Sequence, residues 1–81
     1  MRSAGEVFGQ RMKEIRQKRG LTQVELSERS GFSQARISEL ERGSRMPNLV
    51  TILRIAAALE CKVSVLMSIF DDEGLASLLP K

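Results

Sequence analysis

Between about Glu6 and Lys18 the apolar side chains fall at Phe8, Met12 and Ile15, the i, i+4, i+7 stripe of an amphipathic helix, and Gly20 stops it. Thr22-Gln23-Val24-Glu25 has the form of a capping box, so a second helix starts there with Val24 and Leu26 as its apolar contributions. It is short, because Ser30-Gly31 interrupts it and Gly31 is suited to the positive φ of a sharp turn. Phe32 follows as an apolar anchor, Ser33 is an N-cap, and a third helix is predicted from Gln34 to about Arg42, ended by Gly43. The loop Gly43 to Pro47 leads to a fourth helix capped by Asn48, with apolar positions Leu49, Ile52, Leu53, Ile55, Ala56 and Leu59. A fifth is predicted from about Val63 to Phe70, with Val63, Leu66, Met67 and Phe70 against the core, and a tail of residues 71–81 carries a last apolar piece, Leu75 to Leu79.

No alternating strand pattern, repeat or low-complexity tract interrupts this series. The predicted architecture is all-α, a compact bundle of about five helices forming one domain over residues 1–81, with its core over about 7–70. Apolar residues make up 42% of the chain but aromatics only 4%, with no Trp or Tyr, so the core has to be built from aliphatic side chains and Met. No apolar run reaches the roughly 18 residues that span a bilayer, and no signal-peptide segment is present; the expectation is a cytoplasmic protein without membrane contact.

Candidate chemistry is sparse. There is no His, and the one Cys, Cys61, falls at a core position; a single cysteine can form no intrachain disulfide and cannot alone supply a structural zinc site. Asp71, Asp72 and Glu73 are consecutive and do not converge on a helix; they read as a solvated segment. No enzyme, cofactor or metal is expected. Charge is unevenly spread: residues 1–45 hold ten Lys or Arg against six acids, and residues 46–81 three against four. A polyanion would be met by the first half.

On a helical wheel the third helix has Ile37, Leu40 and Glu41 on one side, with Ala35, Ser38, Glu39 and Arg42 opposite, Gln34 at the N-terminal tip and Arg36 on the flank. That second face is polar and small. A major groove about 12 Å wide admits a helix, and short side chains let it sit deep enough for Gln34 to pair with adenine or Arg36 with guanine.

Residues 23–42, from Gln-Val-Glu-Leu-Ser through Gly31 to Ile-Ser-Glu-Leu-Glu-Arg, resemble the helix-turn-helix of the phage repressor and Cro-like (XRE) family, with Gln23, Leu26, Ser27, Gly31, Phe32, Ile37 and Leu40 at its positions. Arg16, the Glu-Arg-Gly of 41–43, Pro47-Asn48-Leu49 and the run Thr51 to Leu59 extend the resemblance to about residues 7–70. Ser27 stands where Ala is usual, Ser30 at a commonly apolar place, and Glu60 and Lys62 where Gly and Ser or Thr are usual. The resemblance implies a lambda-repressor-like DNA-binding domain, a transcriptional regulator whose partner is double-stranded operator DNA. It implies base reading by Gln34, Ala35, Arg36, Ser38 and Glu39, and phosphate contacts by Gln23, Ser33, Arg42, Ser44 and Arg45. It also implies an ion pair between Arg16 and Glu41, two charges that otherwise fall on apolar helix faces. The chain is similar both to phage Cro-like repressors and to restriction-modification controllers. An antitoxin with an unknown protein partner is a further reading of the same fold. Val65, Ile69, Leu75, Leu78 and Leu79 exceed what one small core covers, which suggests a homodimer or a tail folded back on its own domain.

Overall fold

Ser3 starts the first helix earlier than the apolar stripe does. Its hydroxyl accepts the Glu6 amide at 3.2 Å while a Glu6 carboxylate oxygen accepts the Ser3 amide at 2.9 Å, a capping box that satisfies two amides a helix start would leave free. In the computed structural model, which describes residues 2–72 and Leu75, six helices follow one another: α1 (Ala4–Lys18), α2 (Gln23–Ser30), α3 (Gln34–Arg42), α4 (Leu49–Ala58), α5 (Val63–Met67) and α6 (Ile69–Asp72). Thr22 and Glu25 form a second capping box, and Ser33 and Asn48 cap α3 and α4 through their side chains, with Arg36 N to Ser33 Oγ at 3.1 Å and Thr51 N to Asn48 Oδ1 at 2.9 Å. Gly31 and Gly43 close α2 and α3 in the left-handed region, at φ of 80° and 73°.

The inward stripes of the helices meet in one core. Phe8 and Met12 of α1, Leu26 of α2, Ile37 of α3, Ile55 and Leu59 at α4 and Leu66 of α5 are fully buried. At about 1.5–3 kcal/mol for each such side chain taken out of water, they are the main force holding the helices together. Phe32, Cys61, Met67 and Phe70 pack on the edge of this cluster. None of the helices among the described residues is long and apolar enough to cross a membrane.

Two expectations are corrected. The fifth helix does not run unbroken to Phe70 but divides at Ser68. The Val65 carbonyl, which a continuing helix would offer to the amide of residue 69, instead receives Arg11 Nη2 at 3.0 Å, Ser68 Oγ at 2.9 Å and Ser68 N at 3.4 Å. A hydroxyl competing for a helix carbonyl and a side chain from another helix thus end one helix and start the next. Secondly, Val63 is exposed rather than packed in the core. Of the apolar positions named for the fourth helix, Leu49 and Leu53 lie on the outer face of α4, 66% and 44% exposed, together with Val50; the α4 residues that reach the core are Ile52, Ile55, Ala56 and Ala58. α4 is apolar around most of its circumference, so periodicity alone did not separate its two sides. Leu78 and Leu79 lie outside the described residues; Val65 and Leu75 are exposed and Ile69 is partly buried.

The departures at the α4–α5 junction have physical consequences. Glu60 occupies the left-handed region at φ 54°, a conformation that suits Gly, and Lys62 provides no side-chain cap for α5. The junction is held from outside instead: Arg19 Nη2 donates to the Glu60 carbonyl at 2.9 Å and Arg29 Nη1 meets the Glu60 carboxylate at 2.9 Å.

Candidate nucleic-acid interface

α3 is held by one face only. Ile37 and Leu40 point into the core, while Gln34, Ala35, Glu39 and Arg42 are exposed and Arg36 and Ser38 are half-buried. The outward face therefore combines two small side chains with amide, guanidinium and carboxylate groups, which suits hydrogen bonding across a groove. Without a ligand these groups bond each other: Arg36 Nη1 lies 3.6 Å from Glu39 Oε2, and Arg42 Nη1 donates to Ser38 Oγ at 2.8 Å. The two side chains of the first pair keep 38% and 48% of their surface in solvent, so the contact is worth little and leaves Arg36 free to exchange it for another acceptor.

The C-terminal end of α3 is fastened to α1 by a buried ion pair. Arg16 Nε lies 2.6 Å from Glu41 Oε2 and Nη2 lies 3.1 Å from Oε1, a two-point contact between side chains only 9% and 5% exposed. The third Arg16 nitrogen donates to the Leu21 carbonyl at 2.7 Å, which ties the α1–α2 connection into the same knot. Gln23, at the first turn of α2, donates its side-chain amide to Glu41 Oε1 at 3.0 Å. Gln23 thus stands at a helix N-terminus, where free amides favour an anion, and is also part of the bracing around Glu41.

Ser33 accepts from Arg36 N at the start of α3, and Ser44 and Arg45 are exposed in the loop behind its end. Ser44 and Arg45, with Arg36, Glu39, Leu40, Met46, Pro47 and Asn48, line a polar groove of about 160 Å³. The loop's position depends on glycines that the apolar pattern does not signal. Gly5 and Gly9, one turn apart on α1, lie against backbone: a Cβ at Gly5 would come 2.7 Å from the Arg45 carbonyl carbon and 2.9 Å from the Gly43 oxygen, and one at Gly9 would come 2.6 Å from the Glu41 oxygen and closer still to that of Leu40. A Cβ at Gly43 would strike the backbone of Glu6 and Gly5 in turn. α1 therefore packs on the end of α3 and on the 43–45 loop with no side chain between them.

The structure brings Gln34, Ala35, Ser38 and Glu39 onto one side of α3 with Arg36 on its flank, with Arg42, Ser44 and Arg45 at one end of that helix and Gln23 and Ser33 at the N-termini of α2 and α3. Missing from the sequence reading were the Gly5–Gly9 pair, Arg11 and Arg54. The glycines alone left a trace, a four-residue spacing of the smallest residue within a helix.

Among the described residues no three His, Cys, Asp or Glu side chains converge on a point where they could hold a metal ion. Burial pushes the Cys61 thiol above its ordinary pKa, with Arg19 and Arg11 opposing the shift, so it remains protonated and a poor nucleophile at neutral pH.

Comparison with known proteins agrees with this geometry. The model of the helix-turn-helix family HTH_3 matches residues 12–66. An uncharacterized HTH-type transcriptional regulator, y4dJ of Sinorhizobium fredii, is 44% identical over 54 residues, which cover 67% of this chain and 70% of that protein. The immunity repressor of Bacillus phage phi105 is 41% identical over 59 residues, covering 73% of this chain but only 41% of the repressor. Among solved structures, the restriction-modification controller protein C.AhdI from Aeromonas hydrophila superposes with a TM-score of 0.74 at 38% identity, covering 78% of this chain and 96% of the controller.

Proposed function

The chain belongs to the helix-turn-helix family HTH_3, a family of transcriptional regulators, and on that premise we propose that it binds a palindromic DNA operator as a homodimer, with α3 in the major groove. The observation that carries the reading is the division of α3: one side locked by the core and by Arg16–Glu41, the other offering Gln34, Ala35, Arg36, Ser38 and Glu39 outward. Gln34 and Arg36 supply the two side-chain types that pair bidentately with adenine and guanine, and Ala35 and Ser38 let the helix approach. Glu39 accepts from a base amine or keeps Arg36 aligned. Gln23, Ser33, Arg42, Ser44 and Arg45 meet phosphates on either side and set the register.

The dimer reading is supported by apolar side chains left outside the core, Val65 and Leu75, both exposed, and the half-buried Ile69, which a second copy would cover. Such a dimer would have to hold its two recognition helices about 34 Å apart, one turn of DNA, to meet half-sites of opposite direction.

The test is a fluorescence-anisotropy titration, at several salt concentrations, on an operator selected from random duplexes and on a scrambled duplex. Gln34→Ala and Arg36→Ala should each lose about 1–3 kcal/mol on the operator and little on scrambled DNA. Arg45→Ala should weaken both and flatten the salt dependence, because fewer counterions are released. An operator-to-scrambled ratio that survives both α3 substitutions would remove α3 as the reader.

A further inference from the structure

The turn between α2 and α3 decides where Gln34 points, since only Phe32 and Ser33 separate Gly31 from the first residue of α3. Most of its hydrogen bonds are local. Gly31 N donates to the Ser27 carbonyl at 3.0 Å, Phe32 N to Ser30 Oγ at 3.2 Å, and Ser27 Oγ to the Phe32 carbonyl at 2.6 Å. Among the described residues, one bond to residues 30–32 comes from outside this stretch. Arg54, on α4, donates from Nη2 to the Ser30 carbonyl at 2.7 Å.

The same guanidinium lies over the Phe32 ring, its carbon 4.2 Å from the ring centre. It also passes so close to Gly31 that a Cβ there would come 2.7 Å from Nη2. Arg54 thus touches three successive turn residues in three ways: a charge-assisted hydrogen bond, a cation–π contact and van der Waals contact with a residue that has no side chain. Because the planar guanidinium is held on two sides, rotation of the turn about its local bonds would break the stack or the hydrogen bond.

We propose that Arg54 is a positioning residue for DNA reading: it clamps the α2–α3 turn onto α4 and so fixes the direction in which the N-terminal end of α3 enters the groove. This deepens the operator-binding reading and rests on it. Base-edge hydrogen bonds require donor–acceptor distances near 2.9 Å, so a small swing of α3 removes them, whereas contacts to phosphates tolerate it. Arg54 therefore affects specificity without touching a base.

The test uses the full chain with Arg54→Met, which keeps the aliphatic stem, and Arg54→Lys, which keeps the charge but not the planar face. The operator-to-scrambled affinity ratio should fall about five- to tenfold for Arg54→Met, at the low end of what losing one bidentate base contact does, with the salt slope unchanged. Arg54→Lys should also lower it. Amide exchange of residues 31–34 in the DNA-free protein should quicken in both variants while the slowest core amides keep their rates.

Equal weakening on both duplexes with a shallower salt slope would make Arg54 a phosphate contact and overturn the proposal. A lysine variant indistinguishable from the parent would overturn it too, since charge alone would then suffice. Unchanged exchange at 31–34 would disprove the clamp itself. If the parent protein fails to discriminate the two duplexes, the operator reading falls, and the exchange measurement still decides whether Arg54 holds the turn.

Discussion

Replacing Arg16 with Met tests how α3 is held. Met approximates the length of the arginine stem but removes every nitrogen. Glu41, with a side chain 5% exposed, would lose both arginine bonds, at 2.6 and 3.1 Å, and keep only the Gln23 amide at 3.0 Å. The Leu21 carbonyl would lose its donor at 2.7 Å. Stranding one member of a buried pair costs about 3–5 kcal/mol, the full desolvation penalty of a charge whose partner is gone. Against a total stability of about 4–12 kcal/mol for a chain of this length, the variant should be severely weakened. The informative comparison is Arg16→Met combined with Glu41→Leu. That chain has no charge to strand, and Gln23, being half-buried, reaches water, so its cost should be at least about 2 kcal/mol less than the sum of the two single substitutions. Urea unfolding followed by circular dichroism at the helix band is the assay, since a chain without Trp or Tyr offers no intrinsic fluorescence of use. A cost below about 1 kcal/mol for Arg16→Met would mean that the pair behaves like a surface contact. Strict additivity in the double variant would show that the two side chains do not depend on each other. Either result refutes the reasoning.

Three further outcomes follow from backbone geometry and capping. Gly9→Ala gains about 1 kcal/mol of helix propensity but drives a methyl against the carbonyls of Leu40 and Glu41; backbone cannot yield as a flexible side chain does, so a net loss of about 1–2 kcal/mol is expected in the same urea assay, and a more stable variant would contradict the close approach of α1 and α3. Glu60→Gly removes a left-handed non-glycine residue at φ 54° at the expense of an exposed pair with Arg29; the melting temperature should rise by a few degrees, corresponding to about 0.5–1 kcal/mol, and a fall would show that the Arg29 contact outweighs the strain. The carboxyl groups of Glu6 and Glu25 are held below their ordinary value first by hydrogen bonds from the Ser3 and Thr22 backbone amides and then by those residues' hydroxyls. A carboxylate depressed on folding stabilises above its unfolded pKa and loses that contribution as pH falls through the folded one. The melting temperature should therefore drop on acidification from about pH 5 toward pH 3, and Glu6→Gln/Glu25→Gln should show a shallower drop; an identical slope in the two proteins would exclude the caps as its source.

What the sequence makes legible here is what lies within a turn or two of chain. Thr22 with Glu25, Ser33, Asn48, Gly31 and Gly43 each act on amides or dihedrals close to themselves, so residue type and spacing suffice to place the starts of α2, α3 and α4 and the ends of α2 and α3. The Ser3–Glu6 box is equally local, but it precedes the first apolar residue of the stripe, and a reading that begins from apolar periodicity starts the helix too late. The break at Ser68 was hidden for the opposite reason. The carbonyl that ends α5 is captured in part by Arg11, a residue 54 positions earlier, and no window on the α5 sequence contains that donor.

The outward groups of α3 and the contacts that orient them are legible to different degrees, and the physical cause is the same. Gln34, Arg36 and their neighbours stand out because a polar face opposite Ile37 and Leu40 is a property of one helix. Their direction in space depends on contacts that cross between helices through backbone: Gly9 against the carbonyls of Leu40 and Glu41, Gly5 against Gly43 and Arg45 of the following loop, and Arg54 against the carbonyl of Ser30. A glycine within a helix registers locally only as lost propensity, and an arginine on the rim of α4 only as solubility. Both gain their meaning once the fold brings bare backbone against them, leaving no room for a Cβ at the glycines and placing a carbonyl 2.7 Å from the Arg54 guanidinium. The 20-residue motif therefore specifies which groups face outward, and α1 and α4, on either side of it in the chain, specify where they point.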